Sequence, residues 1–588
     1  MKKLLLSGNE AVARGALEAG ISLATAYPGT PSTEILENIA RMDPGKAMWA
    51  PNEKIAVELA SGASFAGHRT MAAMKHVGVN VAADPLFTLA YTGVSGGLVV
   101  VTADDPELHS SQNEQDNRRY ASFARIPMLE PSDSQEVLEF TREAFSLSER
   151  FDLPVFLRTT TRISHGKSIV IDSVWKDEGD RPIPGLEKNP AKYVMVPANA
   201  RVRHVELEKR VSNLKEFAET CSFNRVEMAG TDLGVITSGI SYNYVKEALP
   251  DASVLKLGLV FPLPEKLIRE FVTGLRRIIV VEELEPYLEE GLRNLGIEVE
   301  GKSLIPRFGE IDTEVVRRAV GGLQETGARE THPPDPVPSR PPVMCIGCPH
   351  RGIFHLLSRK GIFVAGDIGC YTLAVSPPLS AIHTTVCMGA GVNQAAGIEA
   401  VQPDEHGKVV SVIGDSTFLH SGLGGILNMA FNRIPATTLI LDNYTTAMTG
   451  RQNHPGSGFD IAGNRTEKID WETLLRGLGM EHVRLVDAYD LEEMDLAVSE
   501  EIERDAPSVI VVRGACMLLR NQPVKREPPY QIDEDMCTNC GICLKFGCPA
   551  ISRRNLSIDE KPEIDAQACT GCSLCAQGCR FGAIEVLK

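Results

Sequence analysis

Residues 408–416 have the sequence KVVSVIGDS, in which four β-branched apolar residues precede a glycine and an aspartate. A helix-like stretch follows at 424–432, and a second apolar run, TTLILDN, occupies 437–443. Strand, helix and strand in this order predict two neighbouring parallel strands. Asp415 and Asn443 then lie at the carboxyl ends of these strands, where open α/β sheets bind ligands.

Similar apolar runs recur along the chain: GLVVVT at 97–102, RIIVV at 277–281 and SVIVV at 508–512. Amphipathic segments separate these runs. Strands that are apolar on both sides suit parallel sheets that helices cover on both faces. The sequence therefore predicts a multi-domain α/β protein with doubly wound parallel sheets.

The chain has 588 residues, which at roughly 150 residues per domain corresponds to about four domains. Proline-rich linkers at 332–342 and 522–529 interrupt it, and a charged helical segment around 200–230 forms a weaker boundary. The predicted domains span residues 1–200, 230–330, 340–520 and 530–588.

The charge balance is acidic, with 60 Lys and Arg against 77 Asp and Glu and a net charge of -17. Such a surface repels phosphate backbones, so a nucleic-acid-binding function is excluded. An acidic protein partner is still possible, because it can dock on a local basic patch.

The sequence also contains no run of the roughly 18 apolar residues that a membrane span needs. The apolar stretch near the first residue is too short for a secretory signal. We therefore expect a cytoplasmic protein that makes no membrane contact. In that compartment its 14 cysteines are metal ligands or core thiols rather than disulfides.

Eight of these cysteines lie in the last 52 residues and form a duplicated pattern with offsets of 32, 32, 32 and 31 residues. Each half has the spacing C-x2-C-x2-C followed by a more distant cysteine. Three thiolates at this spacing hold one [4Fe-4S] cluster, and the fourth belongs to the cluster of the other half. The two predicted clusters are held by Cys537, Cys540, Cys543 and Cys579, and by Cys569, Cys572, Cys575 and Cys548. A pair of zinc sites is the alternative.

This tail resembles the bacterial two-cluster ferredoxins, and the resemblance implies a ferredoxin-like α+β domain. Two features depart from the family pattern. Four residues instead of three precede Cys548, and no proline follows Cys579. The longer gap puts the geometry of the first cluster in question.

The region around Asp415 resembles the Gly-Asp-Gly…Asn motif of thiamin-diphosphate enzymes, with 30 residues from Gly414 to Asn443. Ser416 replaces the second glycine of the motif. The resemblance implies that Asp415, Asn443 and the carbonyl of Thr445 bind Mg²⁺, a cation that prefers oxygen ligands. The cofactor-binding residues it implies are Gly389, Gly414, Asp415, Ser416 and Asn443, with the helix that begins near Gly389 directed at the diphosphate. An ordinary turn after a strand is the alternative.

The segment 52–63 predicts a helix with small residues at positions 56, 60 and 63. It resembles the pyrimidine-binding helix of thiamin enzymes, with Glu53 in the position of the catalytic glutamate. That residue hydrogen-bonds N1′ of the aminopyrimidine and so activates the cofactor. The alternative is a solvated glutamate that only favours the positive end of the helix dipole.

Three further motifs resemble the 2-oxoacid:ferredoxin oxidoreductases: AYPGTPS at 26–32, DLPVFLR at 152–158 and CIGCPHR at 345–351. In that family the threonine that corresponds to Thr30 lies near the substrate. The order of parts is pyrimidine, transketolase-C-terminal-like, diphosphate and ferredoxin domains over essentially the whole chain. It is most similar to the alpha subunits of members that oxidise aryl 2-oxo acids such as indolepyruvate.

The resemblance implies that an aryl 2-oxo acid is oxidatively decarboxylated with coenzyme A, which gives the acyl-CoA, CO₂ and reduced ferredoxin. It also implies a small beta subunit and an α2β2 assembly. Three alternatives remain: a member of the same family with another substrate, a non-oxidative thiamin-dependent decarboxylase, and a pure electron carrier. The second leaves the cysteine-rich tail without a role, and the third leaves Glu53, Asp415 and Asn443 without one.

Six cysteines lie outside the tail, and four of them match the positions that hold a cluster near the thiamin in single-cluster members of the family. These are Cys345, Cys348, Cys370 and Cys516. The resemblance implies a third [4Fe-4S] cluster here. The alternative is an inherited site that now binds zinc or nothing.

Overall fold

The β-branched runs form buried strands in the computed structural model of the protein. The structure describes residues 2–172, 183, 188–321, 342–402, 406–519, 528–553 and 557–587. Nearly all of both predicted proline-rich linkers lies outside these residues. The chain divides into two units, Met1–Pro333 and Pro334–Lys588. No helix among the described residues has the length and apolar character of a membrane span.

The first unit alternates strands and helices. Its strands are β1 (Lys2–Ser7), β2 (Leu23–Ala26), β3 (Ala47–Trp49), β4 (Thr70–Lys75), β5 (Leu98–Asp104), β6 (Met128–Leu129), β7 (Val155–Thr160), β8 (Lys167–Asp172), β9 (Arg225–Glu227), β10 (Leu233–Ser238), β11 (Ser253–Leu257), β12 (Leu259–Phe261) and β13 (Arg277–Val281). Its helices are α1 (Gly8–Glu18), α2 (Thr33–Met42), α3 (Glu53–Phe65), α4 (His76–Thr92), α5 (Arg118–Ala124), α6 (Ser134–Phe151), α7 (Thr161–His165), α8 (Pro190–Tyr193), α9 (Pro197–Ala218), α10 (Ser241–Ala248), α11 (Glu265–Val272), α12 (Tyr287–Asn294) and α13 (Thr313–Gly321).

A seven-stranded sheet in the order β12-β6-β7-β5-β4-β2-β3 organises the first part of this unit. Every pair in it is parallel except β12 with β6. The side chains of β5 are buried along its whole length. The loops after β2, β3, β4 and β5 leave the same edge of the sheet, because parallel strands share one direction.

Two further sheets complete the first unit. A four-stranded sheet has the order β13-β10-β11-β9, in which only β9 is antiparallel to its neighbour. An antiparallel pair joins β1 to β8. The predicted strand at 277–281 is β13, at one edge of the four-stranded sheet.

The second unit contains β14 (Phe363–Ala365), β15 (Val409–Gly414), β16 (Thr437–Asp442), β17 (His482–Asp487), β18 (Ser508–Arg513), β19 (Tyr530–Ile532), β20 (Ile551–Arg553), β21 (Pro562–Ile564) and β22 (Ile584–Val586). Its helices are α14 (His350–Lys360), α15 (Ala390–Val401), α16 (Asp415–Thr417), α17 (Leu423–Asn432), α18 (Trp471–Gly477), α19 (Leu491–Ile502) and α20 (Leu574–Gln577). A π-helical turn, Phe418–Gly422, joins α16 to α17.

A parallel five-stranded sheet in the order β14-β15-β16-β18-β17 forms the centre of this unit. Apolar side chains cover both faces. Val412, Leu439 and Ile510 pack into one core cluster, while Ile413 and Ile440 pack into another. This arrangement is the doubly covered parallel sheet that the β-branched runs predict.

The cysteine-rich tail is built from two small antiparallel pairs, β19 with β22 and β20 with β21. A 3-10 helix, Ile542–Phe546, lies between β19 and β20 in the chain, and α20 lies between β21 and β22. The tail core is small and includes Cys543, Ile551 and Ile584. Hydrophobic burial of this size gives a small domain little stability without metal or other crosslinks.

Candidate functional site

Asp415 and Asn443 follow adjacent strands of the five-stranded sheet, as the sequence predicts. Gly414 of β15 is in register with Leu441 of β16, so both residues leave the same edge of the sheet. Asp415 is 2% exposed, and its Oδ1 and Oδ2 accept hydrogen bonds from the amides of Ser416 and Tyr444, both at 2.8 Å. These bonds fix the carboxylate against the loop that carries Asn443.

The Asn443 side chain is also held by this loop, because its Oδ1 accepts a hydrogen bond from the Thr445 amide at 3.1 Å. Two buried histidines adjoin the pair. Nε2 of His454 lies 3.2 Å from Asp415 Oδ2. Nε2 of His350 lies 3.3 Å from Asn443 Nδ2, and burial lowers the pKa of His350 to about 4.

One buried carboxylate oxygen at this edge, Asp442 Oδ1, lacks a hydrogen-bond partner among the described residues. Burial and then the negative charge of Asp415 raise the pKa of Asp442. Adjacent buried carboxylates with an unsatisfied oxygen are costly without a cation. The donor set of carboxylate, amide and carbonyl oxygens therefore fits Mg²⁺.

The glycines of the predicted cofactor site are closely packed. A Cβ at Gly414 would lie 2.8 Å from the Tyr371 ring. Gly389 has φ of +86°, and a Cβ there would lie 2.6 Å from Ser421 Cβ. The Ser416 hydroxyl is 2.8 Å from that of Thr446. Ser416 therefore stands where the motif has a glycine, and its hydroxyl is hydrogen-bonded to another side chain of the protein.

The start of α15 binds a carboxylate of the chain itself, which the sequence did not indicate. Asp367 accepts hydrogen bonds from the amides of Gly389 and Gly391 at 3.0 and 3.1 Å. Burial raises the pKa of Asp367 to about 6. The amides that we expected to face a diphosphate are therefore engaged by Asp367, and the role of Gly389 in cofactor binding stays a prediction.

Four cysteines outside the tail converge beside this edge. Burial raises the pKa of Cys348 to about 12, and the charges of Cys345 and Cys370 contribute in the same direction. Burial also raises the pKa of Cys370 to about 11, with further contributions from Cys516 and Cys345. The Cys516 amide donates a hydrogen bond to the Asn443 carbonyl at 3.1 Å. This set therefore adjoins the predicted magnesium ligands.

The eight tail cysteines line two separate cavities in the sets that the duplicated spacing predicts. One cavity is lined by Cys537, Cys540, Cys543 and Cys579. The other is lined by Cys548, Cys569, Cys572 and Cys575. The fourth cysteine of each half thus faces the cavity of the other half.

The spacing of the thiols bears on the choice between zinc and iron–sulfur. Among the described residues, no three cysteine sulfurs lie within 4.8 Å of one another. Thiolates on one zinc ion, bound at about 2.3 Å, would be under about 4 Å apart. The tail cysteines are therefore not gathered as tightly as around one zinc ion, and the two [4Fe-4S] clusters stay a prediction.

The loop that carries Cys345 and Cys348 packs directly on the second tail cavity. Ile346, Gly347 and Arg351 belong to the cavity wall. Arg351 donates hydrogen bonds to the carbonyls of Phe546 at 3.0 Å and Cys345 at 3.1 Å. One guanidinium therefore ties the loop to the tail.

In the first unit, Glu53 is the first residue of α3 and is 4% exposed. Asn52 caps this helix by accepting a hydrogen bond from the Ile55 amide at 2.9 Å. A Cβ at Gly78 would lie 2.7 Å from Glu53 Oε1, so the carboxylate packs on the first turn of α4. Glu53 is therefore not the solvated glutamate of the alternative interpretation.

Thr30 lies in the loop after β2, at the same edge of the seven-stranded sheet. Its carbonyl accepts a hydrogen bond from Ser110 Oγ at 3.4 Å. Ser110 in turn accepts a hydrogen bond on its carbonyl from Lys75 Nζ at 3.0 Å. Lys75 ends β4 and was not predicted as a site residue, although a cation at the carboxyl end of a buried strand is a signal for one.

Two sequence families match the chain. The family described as "Pyruvate flavodoxin/ferredoxin oxidoreductase, thiamine diP-bdg" matches residues 14–189. The family described as "Thiamine pyrophosphate enzyme, C-terminal TPP binding domain" matches residues 367–512. The second match includes β15, β16 and the edge that carries Asp415 and Asn443.

Two of the relatives match over all or nearly all of the chain, and a third matches over about half of it. Indolepyruvate oxidoreductase subunit IorA of Pyrococcus horikoshii is 41% identical over 100% of this chain and 97% of its own. The protein of the same name in Archaeoglobus fulgidus is 40% identical over 95% of this chain and 94% of its own. Ketoisovalerate oxidoreductase subunit VorB of Methanothermobacter thermautotrophicus is 26% identical over 55% of this chain and 95% of its own.

Proposed function

This chain belongs to the family of indolepyruvate oxidoreductase subunits IorA, and we propose that it is the large subunit of a thiamin-dependent 2-oxoacid:ferredoxin oxidoreductase. Its substrate is an aryl 2-oxo acid of the indolepyruvate type. The products are the arylacetyl-CoA, CO₂ and reduced ferredoxin. A smaller beta subunit completes the enzyme in an α2β2 assembly.

One observation carries this proposal: the second unit joins an oxygen-rich sheet edge to cysteine sets in one continuous series of contacts. Asn443 at the edge accepts a hydrogen bond from the Cys516 amide. The loop of Cys345 and Cys348 in turn forms part of the wall around Cys548 and its partners. A decarboxylase needs only the edge and an electron carrier only the cysteines, whereas an oxidative enzyme needs both.

Asp415, Asn443 and the Thr445 carbonyl are the residues that would hold Mg²⁺ and, through it, the diphosphate of thiamin. When bound, this cofactor supplies the electron sink that allows a 2-oxo acid to lose CO₂. Glu53 supplies a buried carboxylate that would hydrogen-bond the pyrimidine ring and direct its protonation. Thr30 lies at the same edge of the seven-stranded sheet as Glu53, where it would orient the reacting acid.

The cysteine sets are the residues that would hold one-electron carriers. Cys537, Cys540, Cys543 and Cys579 would hold one [4Fe-4S] cluster, and Cys548, Cys569, Cys572 and Cys575 a second, in a ferredoxin-like domain. Cys345, Cys348, Cys370 and Cys516 would hold a third cluster. Because the Cys516 amide bonds to the Asn443 carbonyl, a cluster there would shorten the route from the thiamin edge to the tail.

The test is co-expression with candidate small subunits, followed by anaerobic purification and assay with a panel of 2-oxo acids and coenzyme A. We expect bound thiamin diphosphate, reduction of ferredoxin and one acyl-CoA per two electrons, with aryl substrates preferred. Aldehyde release without acceptor reduction would identify a non-oxidative decarboxylase. Protein without bound thiamin would identify an electron carrier, and preference for a non-aryl acid would reassign the substrate.

A further inference from the structure

We propose that Lys75 binds the carboxylate of the 2-oxo acid substrate. The inference rests on the proposed function and names the group that recognises its substrate. Lys75 is the last residue of β4 and is partly buried at the carboxyl edge of the seven-stranded sheet. That edge also carries Thr30 and Glu53.

The surroundings of Lys75 connect it to both of these residues. Its stem packs on the loop before Thr30, because a Cβ at Gly29 would lie 3.1 Å from Lys75 Cγ. Its Nζ donates to the Ser110 carbonyl, and the Ser110 hydroxyl donates to the Thr30 carbonyl. On the other side, Glu53 packs on the first turn of α4, which begins directly after Lys75.

The amine also retains hydrogen-bonding capacity. A lysine ammonium has three N–H donors. Among the described residues, Lys75 Nζ donates one hydrogen bond, to the Ser110 carbonyl. Its negative neighbours are Asp105 and Glu53. Asp105 is already engaged, since its oxygens accept hydrogen bonds from the hydroxyls of Ser111 at 2.6 Å and Thr161 at 2.7 Å.

The other buried cations near this edge are committed to carboxylates. Arg158 pairs with Asp104 at 2.8 Å, and Arg118 pairs with Asp116 at 2.5 Å and Glu282 at 2.7 Å. Lys75, in contrast, forms no ion pair within 4 Å among the residues that the structure describes. Its charge is therefore available to an incoming anion.

Substrate chemistry requires such a cation. A 2-oxo acid carries a carboxylate that must approach Glu53 in a protein with a net charge of -17. Like charges repel at short range, most strongly where water is excluded. A partly desolvated ammonium beside Glu53 offsets this repulsion and orients the group that leaves as CO₂.

The test uses the assembled enzyme with its small subunit. Lys75→Met keeps the stem on Gly29 and removes the charge, so we expect KM for the aryl 2-oxo acid to rise by about 10- to 100-fold, as for a lost hydrogen bond to a charged group. Lys75→Arg should recover part of this loss. Lys46→Met is the matched control, because Lys46 is a partly exposed lysine that contacts Asp43 at 3.6 Å, and its KM should not change.

A second measurement separates recognition of the carboxylate from a general structural role. Wild type should be inhibited competitively by indole-3-propionate more strongly than by its neutral amide. Lys75→Met should lose this preference while retaining bound thiamin diphosphate. Lys75→Gln, which keeps donors without charge, gives the same comparison and decides the matter if Lys75→Met does not fold.

An unchanged preference for the anion in the uncharged variants would overturn the assignment of Lys75, whatever the turnover. Wild-type enzyme that turns over no 2-oxo acid would instead overturn the proposed function. The two failures are therefore distinguishable.

Discussion

Glu53 is buried at the start of α3 and faces the first turn of α4, where Gly78 leaves room for its carboxylate. We predict that Glu53→Gln lowers kcat by at least about 100-fold, the usual loss when acid–base catalysis is removed. The amide occupies the same space but cannot direct protonation of the cofactor. Steady-state turnover of the assembled enzyme measures the effect.

The matched control is Glu58→Gln, because Glu58 lies on the same helix, is exposed and pairs only with Lys54 in the described structure. It should turn over at the wild-type rate. Iron content of both variants should equal that of wild type. A Glu53→Gln enzyme with near-normal turnover would show that another group activates the cofactor.

Lys75 leads to a prediction on pH. Burial lowers its pKa to about 8, and the charges of Asp105 and Glu53 oppose that shift. The ammonium is therefore protonated below about pH 8 and neutral above it. We expect kcat/KM for an anionic substrate to fall as the pH rises through 8, and Lys75→Arg to move this descent to higher pH. A descent that stays at the same pH in Lys75→Arg would assign it to another group.

Among individual residues, the sequence predicts only those site residues that lie next to a recognisable strand or motif. Asp415 and Asn443 end strands that are recognisable from β-branched runs. Asp367 and His454 could not be found in this way, because each becomes part of the site through contact with a distant segment. Asp367, for example, accepts a hydrogen bond from the amide of Gly389, which lies 22 residues further along the chain at the start of α15.

Among the elements, the loop of Cys345 and Cys348 depends on Gly347. This residue has φ of +68°, and a Cβ would lie 2.3 Å from the Thr570 hydroxyl in the tail. Gly361 also has φ of +68°, but no atom lies within 4 Å of its Cβ position. Gly347→Ala and Gly361→Ala therefore carry the same backbone cost, roughly 1 kcal/mol, and differ only in the clash.

We predict that Gly347→Ala alone disturbs the second tail cluster. The electron paramagnetic resonance spectrum of the reduced protein should change in Gly347→Ala and not in Gly361→Ala. Adding Thr570→Ala to Gly347→Ala removes the clashing hydroxyl and should restore the signal. Equal spectra in both single variants would show that the loop does not support the cluster.

A strand can be recognised from its own residues, but the order of strands in a sheet cannot. The sequence therefore predicts where strands lie in the chain but not how they pair. The runs at 97–102, 277–281 and 508–512 are β5, β13 and β18, as expected. Nothing in those runs indicates that β12 joins the first sheet by pairing with β6. Pairing depends on contacts between distant segments, whereas β-branched patterning reports only burial.

For the whole molecule, the duplicated cysteine spacing predicts the grouping of the tail cysteines more closely than the proline-rich linkers predict the division into domains. The exchange of Cys548 and Cys579 between the two halves follows from the repeat, and the cavities contain those sets. The four-domain division stays a prediction, because the chain divides into two units and the second contains both the five-stranded sheet and the tail.

The number of clusters in the whole chain is the last expectation, and iron analysis measures it. Each [4Fe-4S] cluster holds four irons, so three clusters require about twelve per chain and two require about eight. The thiols of Cys348, which is buried, and Cys370, which is partly buried, have raised pKa values. Binding of a metal cluster must therefore displace their protons. We expect about twelve irons in anaerobically reconstituted protein and about eight in Cys370→Ser.

Cys387→Ser, at an exposed cysteine outside the three sets, should retain the wild-type count. A wild-type count near eight that Cys370→Ser leaves unchanged would remove the third cluster, and electrons would then have to reach the tail from the thiamin edge in a single step.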